Sequence, residues 1–214
     1  MDTPQTLREQ RRSQAHELSR CQLLDAAEEV IGRKGFHETT LKEIAERAGF
    51  SVGSVYSFFE SKDDLFRHIF LRRGEEFMAG MRVALHDPAD DPRTQLHALA
   101  DYQVGYFHSH ANFARVYLRY SSIAVLAARN DQVDAEVQQR YDEAMQQQAE
   151  LFRRGQTSSQ FRRGDPQALS RLFSGLVSAY QAIDTATANH AGDRLSLADF
   201  HAVISGAFFT QAQR

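Results

Sequence analysis

Apolar residues recur at helical spacing along almost the whole chain. Leu23, Leu24, Ala27, Val30 and Ile31 form one stripe on a helix of about 3.6 residues per turn. Further stripes begin at Leu65, Leu96, Val133, Leu169 and Leu197. Since no run of five or more residues alternates convincingly between apolar and polar side chains, as a half-buried strand would, the pattern predicts an all-α fold.

Two Asp-Pro pairs mark expected helix starts. In Asp91-Pro92 and Asp165-Pro166 the carboxylate can accept hydrogen bonds from the first N–H groups of a helix. Proline suits the first helical position because it has no N–H to leave unpaired. The polar stretches 86–91 and 155–165 are therefore expected to be loops.

Composition limits where nucleic acid could bind. The 214 residues carry a net charge of −3, whereas a domain covered in nucleic acid is strongly basic, so any DNA contact is expected to be local. The single cysteine, Cys21, excludes a disulfide within the chain. Because no apolar run reaches about 18 residues and the N-terminus is polar, we expect no membrane span and a cytoplasmic protein.

A pair of short helices joined by a tight turn is predicted around Gly49. Thr40 and Glu43 have the spacing of a capping box, in which each side chain bonds the other residue's backbone N–H. Gly49 suits the left-handed residue that ends a helix, and Ser51 suits the N-cap of the next helix, expected over about 52–58. This arrangement is a helix-turn-helix, although helical hairpins that only pack are also common.

The second helix of this pair carries small and hydroxyl-bearing residues, namely Ser51, Gly53, Ser54, Tyr56 and Ser57. Hydroxyls and N–H groups at a helix start suit phosphate oxygens, and a glycine lets a helix approach a groove closely. The sequence therefore predicts that this helix contacts DNA.

The stretch Gly35–Leu65, which contains both helices, resembles the start of TetR/AcrR-type regulators. The similarity is carried by the strings GFHETTLKEIAERAGFS and VGSVYSFFESKDDL and extends over about residues 18–70. It implies a three-helix DNA-binding head at residues 1–61 and a helical ligand-binding and dimerisation body at residues 62–214. It also implies a homodimer formed by the last two helices.

Carried over by position, the resemblance implies roles for individual residues. Thr40 matches a phosphate contact at a helix start, and Ser51–Ser57 match the recognition helix. Tyr56 and Lys62 match positions that commonly touch phosphate. We therefore expect phosphate contacts from Thr40, Tyr56 and Lys62 to dominate the affinity for DNA.

The recognition helix carries no formal charge. Many relatives have lysine where Val52 stands and histidine where Ser57 stands. Val52 could meet a thymine methyl group, but it cannot read guanine as lysine or arginine would. Base contacts are expected from Val52, Gly53 and Ser54.

Three arginines near the N-terminus, Arg8, Arg11 and Arg12, leave two interpretations open. A basic arm can reach into the minor groove of DNA. The same residues could instead belong to a frayed chain end.

Aromatic residues are frequent in the body. Several tyrosines facing inward would make an apolar cavity with a few polar tips, as small-molecule sites usually are. An ordinary core position is the alternative for each of them. The residues expected to line the cavity are Tyr102, Tyr106, Phe107, Tyr117, Tyr141 and Met145.

The last two predicted helices are apolar over much of their girth, which indicates burial on more than one side. A two-fold interface of four helices would account for this pattern. The residues expected in the interface are Leu172, Leu176, Tyr180, Phe200, Ile204 and Phe208.

Together these features predict a sequence-specific DNA-binding regulator, foremost a repressor that a small, largely apolar ligand releases from double-stranded operator DNA. An activator, and a helical small-molecule carrier or partner-binding protein, stay open as alternatives. No HExxH motif, cysteine cluster or catalytic motif occurs. We therefore expect no metal site, no cofactor and no enzymatic activity.

Overall fold

The computed structural model describes residues 6–86, 91–120, 135–186 and 195–211, which are largely helical. The helices are α1 (Leu7–Lys34), α2 (Leu41–Ala48), α3 (Val52–Tyr56), α4 (Lys62–Ala84), α5 (Pro92–Ser109), α6 (Ala111–Tyr120), α7 (Ala135–Thr157), α8 (Pro166–Ala186) and α9 (Leu197–Phe208). Over these ranges the only extended pairing is an isolated bridge between Phe161 and Phe209, so the expected all-α fold is confirmed. None of the helices in this part of the chain combines the length and apolar character needed to cross a bilayer.

The chain forms two compact units, here called the head and the body. The head ends at Phe70 and the body begins at Leu71, later than the boundary expected after Ser61. The first turns of α4 belong to the head, where the ring of Phe66 lies 4.7 Å from that of Phe36. Helix α4 therefore begins in the head and ends in the body.

The capping box, turn glycine and N-cap that the sequence predicts around Gly49 are all present in the structure. Glu43 N donates to Thr40 Oγ1 at 3.2 Å, and Thr40 N donates to Glu43 Oε2 at 3.0 Å. Gly49 ends α2 in the left-handed region, at φ 75°, where a side chain would cause strain. Ser51 caps α3 by accepting from Ser54 N at 3.0 Å. The predicted capping box, turn glycine and N-cap are confirmed.

The core of the head forms around the second half of α1. Leu23, Leu24 and Ile31 are fully buried, as are Ile44 of α2 and Val55 of α3. Burying a side chain of this size stabilises a fold by about 1.5–3 kcal/mol. Almost the whole first half of α1 is exposed, so this helix extends beyond the core that it anchors.

The body packs its helices around a cluster of phenylalanines. Phe152, Phe173 and Phe208 are at most 1% exposed, and their ring centroids lie 5.1–6.3 Å apart, a separation at which aromatic rings attract. Gly155 has no room for a side chain because a Cβ there would overlap the ring of Phe161. The close approach of α7 to this ring therefore requires a glycine.

Three residues expected in a dimer interface lie instead in the core of their own chain, which corrects that expectation. Phe200, Ile204 and Phe208 are 0–2% exposed, because α9 packs on α5 and α8 of the same body. Large apolar side chains that α8 and α9 leave substantially exposed are Leu172, Ile183, Leu197 and Val203.

Candidate DNA-binding and ligand-binding sites

Helix α3 presents its polar side to solvent. Val55 and Phe59 are at most 1% exposed and hold the helix to the head, whereas Tyr56 is 57% exposed. The helix ends at Tyr56, earlier than expected. The residues of this segment predicted to contact DNA are all exposed or half-buried, namely Ser51, Val52, Gly53, Ser54, Tyr56 and Ser57.

The three serines of this segment differ in their ability to donate a hydrogen bond to DNA. Ser57 Oγ donates to Ser54 O at 2.6 Å, so its proton is already used. Ser51 Oγ and Ser54 Oγ lie 2.8 Å apart and share one proton between them, which leaves the second proton available. Because phosphate oxygens only accept, the N-cap pair is the better phosphate ligand.

Thr40 is engaged within its capping box. Its hydroxyl lies 3.1 Å from Glu43 Oε2 and donates to that carboxylate. A hydrogen bond from Lys34, followed by the one from Thr40 N, lowers the pKa of Glu43 to about 2, so this carboxylate stays ionised. A phosphate at Thr40 would have to compete with it, and this contact stays a prediction.

Lys62 holds the loop between α1 and α2 to the start of α4. Its Nζ donates to Phe36 O and Thr39 O, both at 2.9 Å, and lies 4.4 Å from the centroid of the Phe36 ring. An ammonium has three protons, so one remains for the predicted phosphate contact. No pattern in the sequence indicated this structural role.

Gly53 is not required by the fold. A Cβ at this position would meet only Ser51 Oγ among the described residues, at 3.8 Å, which is an ordinary contact. Glycine inside a helix destabilises it by about 0.5–1 kcal/mol relative to alanine. A glycine that the fold does not need is consistent with close approach of another molecule to α3.

The N-terminal turns of α1 form an ordered basic extension. The helix begins with a capping box between Thr6 and Glu9. In the part of the N-terminus that the structure describes, this cap favours a regular helix over a frayed chain end. Two turns further along, the ring of His16 lies 4.6 Å from that of Phe58, just after α3. The extension before His16 carries three exposed arginines, Arg8, Arg11 and Arg12.

Two tyrosines expected to line a ligand cavity, Tyr102 and Tyr106, pack α5 against α4, and their contact with a ligand stays a prediction. The hydroxyl of Tyr102 donates to Phe77 O at 2.7 Å, and that of Tyr106 donates to Arg73 O at 2.9 Å. Burial, with a smaller effect of the Glu76 charge, raises the pKa of Tyr102 to about 12 and raises the pKa of Tyr106 as well. Both hydroxyls are thus neutral donors to a helix backbone.

The other four predicted ligand residues gather where α5, α6, α7 and α8 meet. The Tyr117 hydroxyl forms a hydrogen bond with the Ser178 side chain, and burial, followed by the nearby Tyr141, raises the pKa of Tyr117. The ring of Phe107 lies 4.9 Å from that of Tyr117. Met145 is buried one helical turn after Tyr141. Their contact with a ligand stays a prediction.

An open groove of about 470 Å³ follows the outside of α7 and is lined by Ala135, Gln138, Gln139, Asp142, Glu143 and Gln146. It contains none of the predicted ligand residues, and five of its six lining residues carry an amide or a carboxylate, so it differs from the expected aromatic cavity. Among the residues that the structure describes, no three histidines, cysteines or carboxylates are arranged to hold a metal ion.

Buried glutamines are the residues of the body that the sequence interpretation overlooked. Gln103 and Gln148 are 3% and 0% exposed. Gln103 Nε2 donates to Gln148 Oε1 at 3.3 Å, and Gln148 Nε2 donates to Ser174 Oγ at 3.3 Å. The signal was a polar residue inside an apolar stripe, which Gln103 shows between Leu99 and Tyr106.

Sequence similarity is concentrated in the head. The model of the family described as bacterial regulatory proteins, tetR family, matches residues 23–69. The fatty acid metabolism regulator protein of Bacillus subtilis is 32% identical over 32% of this chain and 35% of its own length. The transcriptional activator FasR of Mycolicibacterium smegmatis is 38% identical over 38% of this chain and 37% of its own length. The chain thus spans little more than a third of these relatives.

Structural similarity extends over both units. The fatty acid degradation regulator FadR of Bacillus halodurans has a TM-score of 0.70 at 19% identity, over 88% of this chain and 95% of that protein. AibR, solved with isovaleryl coenzyme A and operator DNA, has a TM-score of 0.71 at 16% identity, over 88% and 96%. The capped helix-turn-helix and the match of residues 23–69 agree that the head is similar to the N-terminal segment of the tetR family of bacterial regulatory proteins, and the described chain shares the fold of these solved regulators.

Proposed function

We propose that this chain is a dimeric transcription regulator of the cytoplasm, which binds operator DNA through α2 and α3 and responds to a small molecule bound in the body. The observation that carries the proposal is Gly53, an exposed helix glycine that the fold does not need. It lies beside the Ser51–Ser54 donor pair, within the segment that matches the family.

DNA binding would combine a neutral recognition helix with cations around it. In a dimer, two α3 helices would enter successive major grooves about 34–36 Å apart. The third proton of Lys62 and the arginines of the α1 extension supply local positive charge on a chain whose net charge is −3. Affinity should therefore depend on salt despite that net charge.

The ligand would act by favouring a conformation with lower affinity for the operator, and it must bind that conformation more tightly to shift the equilibrium. A regulator that leaves its operator when the ligand binds acts as a repressor, and this is the first candidate for the chain. Since FasR is named an activator, activation is the second candidate. A promoter fusion separates them, because deleting the regulator raises expression under repression and lowers it under activation.

A homodimer would use the exposed apolar side chains of the last two helices. Leu172, Leu197 and Val203 are 52%, 40% and 44% exposed. Apolar area of this kind on neighbouring helices supports a self-complementary interface. Leu176 and Tyr180 are half-buried, and Tyr180 stacks on Phe200 of its own chain at 4.4 Å.

The DNA contact is tested with Tyr56→Phe, which removes only a hydroxyl from an exposed ring. We expect the variant to bind both operator and random duplex more weakly, by about 1 kcal/mol, in fluorescence anisotropy titrations. Ser57→Ala is the matched control, since that hydroxyl already bonds Ser54 O. Equal affinity of Tyr56→Phe and the natural chain contradicts the contact. Failure of the natural chain to bind any duplex contradicts the function and favours the carrier.

A further inference from the structure

The side-chain amide of Gln181 on α8 is buried without a hydrogen-bond partner in the described part of the chain. Gln181 is 6% exposed, and neither its Nε2 nor its Oε1 bonds any of the described residues. A polar group that loses its water without gaining a bond destabilises the folded chain. Such groups are therefore few in native proteins, and a ligand can explain one.

Another buried glutamine of the body, Gln148, is satisfied. Gln148 is fully buried, yet its amide accepts from Gln103 and donates to Ser174. The body thus pairs a buried amide where α5, α7 and α8 meet, whereas Gln181, further along α8, has no such partner among the described residues. Gln160 also has a buried Oε1 without a partner, but among the described glutamines only Gln181 has both amide atoms buried without one.

Gln181 borders the cluster of predicted ligand residues. It lies three positions after Ser178, which places the two side chains on one face of α8. Ser178 bonds the Tyr117 hydroxyl, and Tyr141 is close to Tyr117. The unpartnered amide therefore lies one helical turn from a group of hydroxyls on α6, α7 and α8.

We propose that Gln181 binds the polar end of the effector, and that this end is an uncharged group which both donates and accepts hydrogen bonds, as a carboxamide does. The proposal rests on the proposed function only in taking the body as the effector site. Oε1 needs a donor and Nε2 needs an acceptor, and one carboxamide supplies both. The apolar remainder lies against Tyr117 and Met145.

A carboxylate fits this position less well. It supplies acceptors but no donor, so Oε1 of Gln181 would remain unpaired. The hydrogen-bonding groups along this face of α8 are hydroxyls, an amide, a backbone carbonyl and a thioether. None of these groups is charged, and Arg171 of α8, whose charge acts on Tyr141, is exposed. A buried carboxylate beside Gln181 would therefore lose its hydration without a buried opposite charge to replace it.

The first test measures the melting temperature of the full chain without ligand. Gln181→Leu removes the two unsatisfied atoms at similar volume and is expected to raise the melting temperature. Gln148→Leu makes the same chemical change at a partnered glutamine and is expected to lower it. A melting temperature of Gln181→Leu below that of the natural chain overturns the proposal, since Gln181 would then be satisfied without ligand.

The second test uses primary amides from butanamide to decanamide as probes, with the matching carboxylates for comparison. We expect at least one amide to raise the melting temperature of the natural chain more than its carboxylate, and Gln181→Leu to abolish that preference. If no amide exceeds its carboxylate, or if the preference persists in Gln181→Leu, the proposal is wrong.

Operator binding, measured separately, keeps the two proposals distinct. Gln181→Leu should bind DNA with the affinity of the natural chain when no probe is present. A natural chain that prefers amides through Gln181 yet binds no duplex would refute the regulator and leave the Gln181 site intact. A chain that binds its operator but shows no preference for amides would refute the Gln181 site and leave the proposed regulator intact.

Discussion

The imidazole rings of His97 on α5 and His201 on α9 lie parallel, with 4.5 Å between their centroids and 3° between their planes. His201 Nε2 is 2.7 Å from Asp101 Oδ1, and His97 Nε2 is 3.0 Å from Ser205 Oγ. Burial and, next, the neighbouring His201 lower the pKa of His97 from its usual 6.5. The pair therefore joins α5 to α9 best when His97 is neutral.

Acid is expected to weaken this contact. Because the pKa of His97 is lower in the folded chain, the unfolded chain takes up the proton first, and the free energy of unfolding falls as the pH drops below about 6.5. Urea unfolding from about pH 8 to about pH 5 measures this decrease. His97→Gln should make this acid-induced decrease in the free energy of unfolding smaller. His108→Gln, at an exposed position of α5, should leave the decrease unchanged. An unchanged pH dependence in His97→Gln contradicts the assignment.

The Tyr102 ring packs against α4 at Gly80, where a Cβ would overlap that ring. Gly80→Ala is therefore expected to reduce the free energy of unfolding by about 1–3 kcal/mol through overpacking. At Gly105 on α5 a Cβ would meet none of the described residues within 4 Å, so Gly105→Ala should keep or increase stability. Chemical denaturation of both variants is the measurement, and equal effects would refute the packing role of Tyr102.

Gly53→Ala should separate folding from DNA binding. The added methyl group fits the head, and removing a helix glycine should stabilise it by up to about 1 kcal/mol. The same methyl group would stand between α3 and a groove wall, so we expect weaker operator binding. Thermal unfolding and anisotropy titration on one preparation test both effects. A variant that is more stable and binds the operator equally well argues against close approach at Gly53.

The α1 extension is expected to bind DNA phosphates. Replacing Arg8, Arg11 and Arg12 with glutamine should weaken binding to all duplexes and reduce the slope of log K against log salt by about 0.9 for each phosphate that is no longer neutralised. A control with the same charge change in the body replaces the exposed residues Arg115, Arg119 and Arg163. Equal slopes for the two triple variants would mean that only net charge matters.

The exposed face of the last two helices is expected to hold the dimer together. Leu172→Glu combined with Val203→Glu should give a monomer in native mass spectrometry, because each would bring carboxylates into an apolar interface. Val83→Glu on α4 is the control, at a residue 76% exposed. A double variant that remains dimeric places the interface elsewhere.

Much of the helix-turn-helix could be predicted because its signals act over a single turn. The Thr40–Glu43 box, the left-handed Gly49 and the Ser51 cap each depend on neighbours a few residues away. The end of α3 was placed too late, since the local pattern continues to Phe58 while the helix ends at Tyr56. A helix end depends on how the following chain folds back.

The body shows where sequence patterns stop being sufficient. An apolar stripe predicts that Phe200, Ile204 and Phe208 are buried, but not whether their partner is the same chain or a second copy. A buried tyrosine predicts a partner for its hydroxyl, but not that Tyr102 finds a backbone carbonyl of α4.

By itself, the sequence determined the all-α fold, the capped motif around Gly49 and the similarity of the head to the tetR family, because these depend on local hydrogen bonds, helical periodicity and a matching string of residues. Only the tertiary structure decided that Lys62 holds the loop before α2, that Phe208 packs within its own chain and that Gln181 is buried without a partner among the described residues. The physical reason is that these properties depend on residues far apart in the chain, which packing alone brings together.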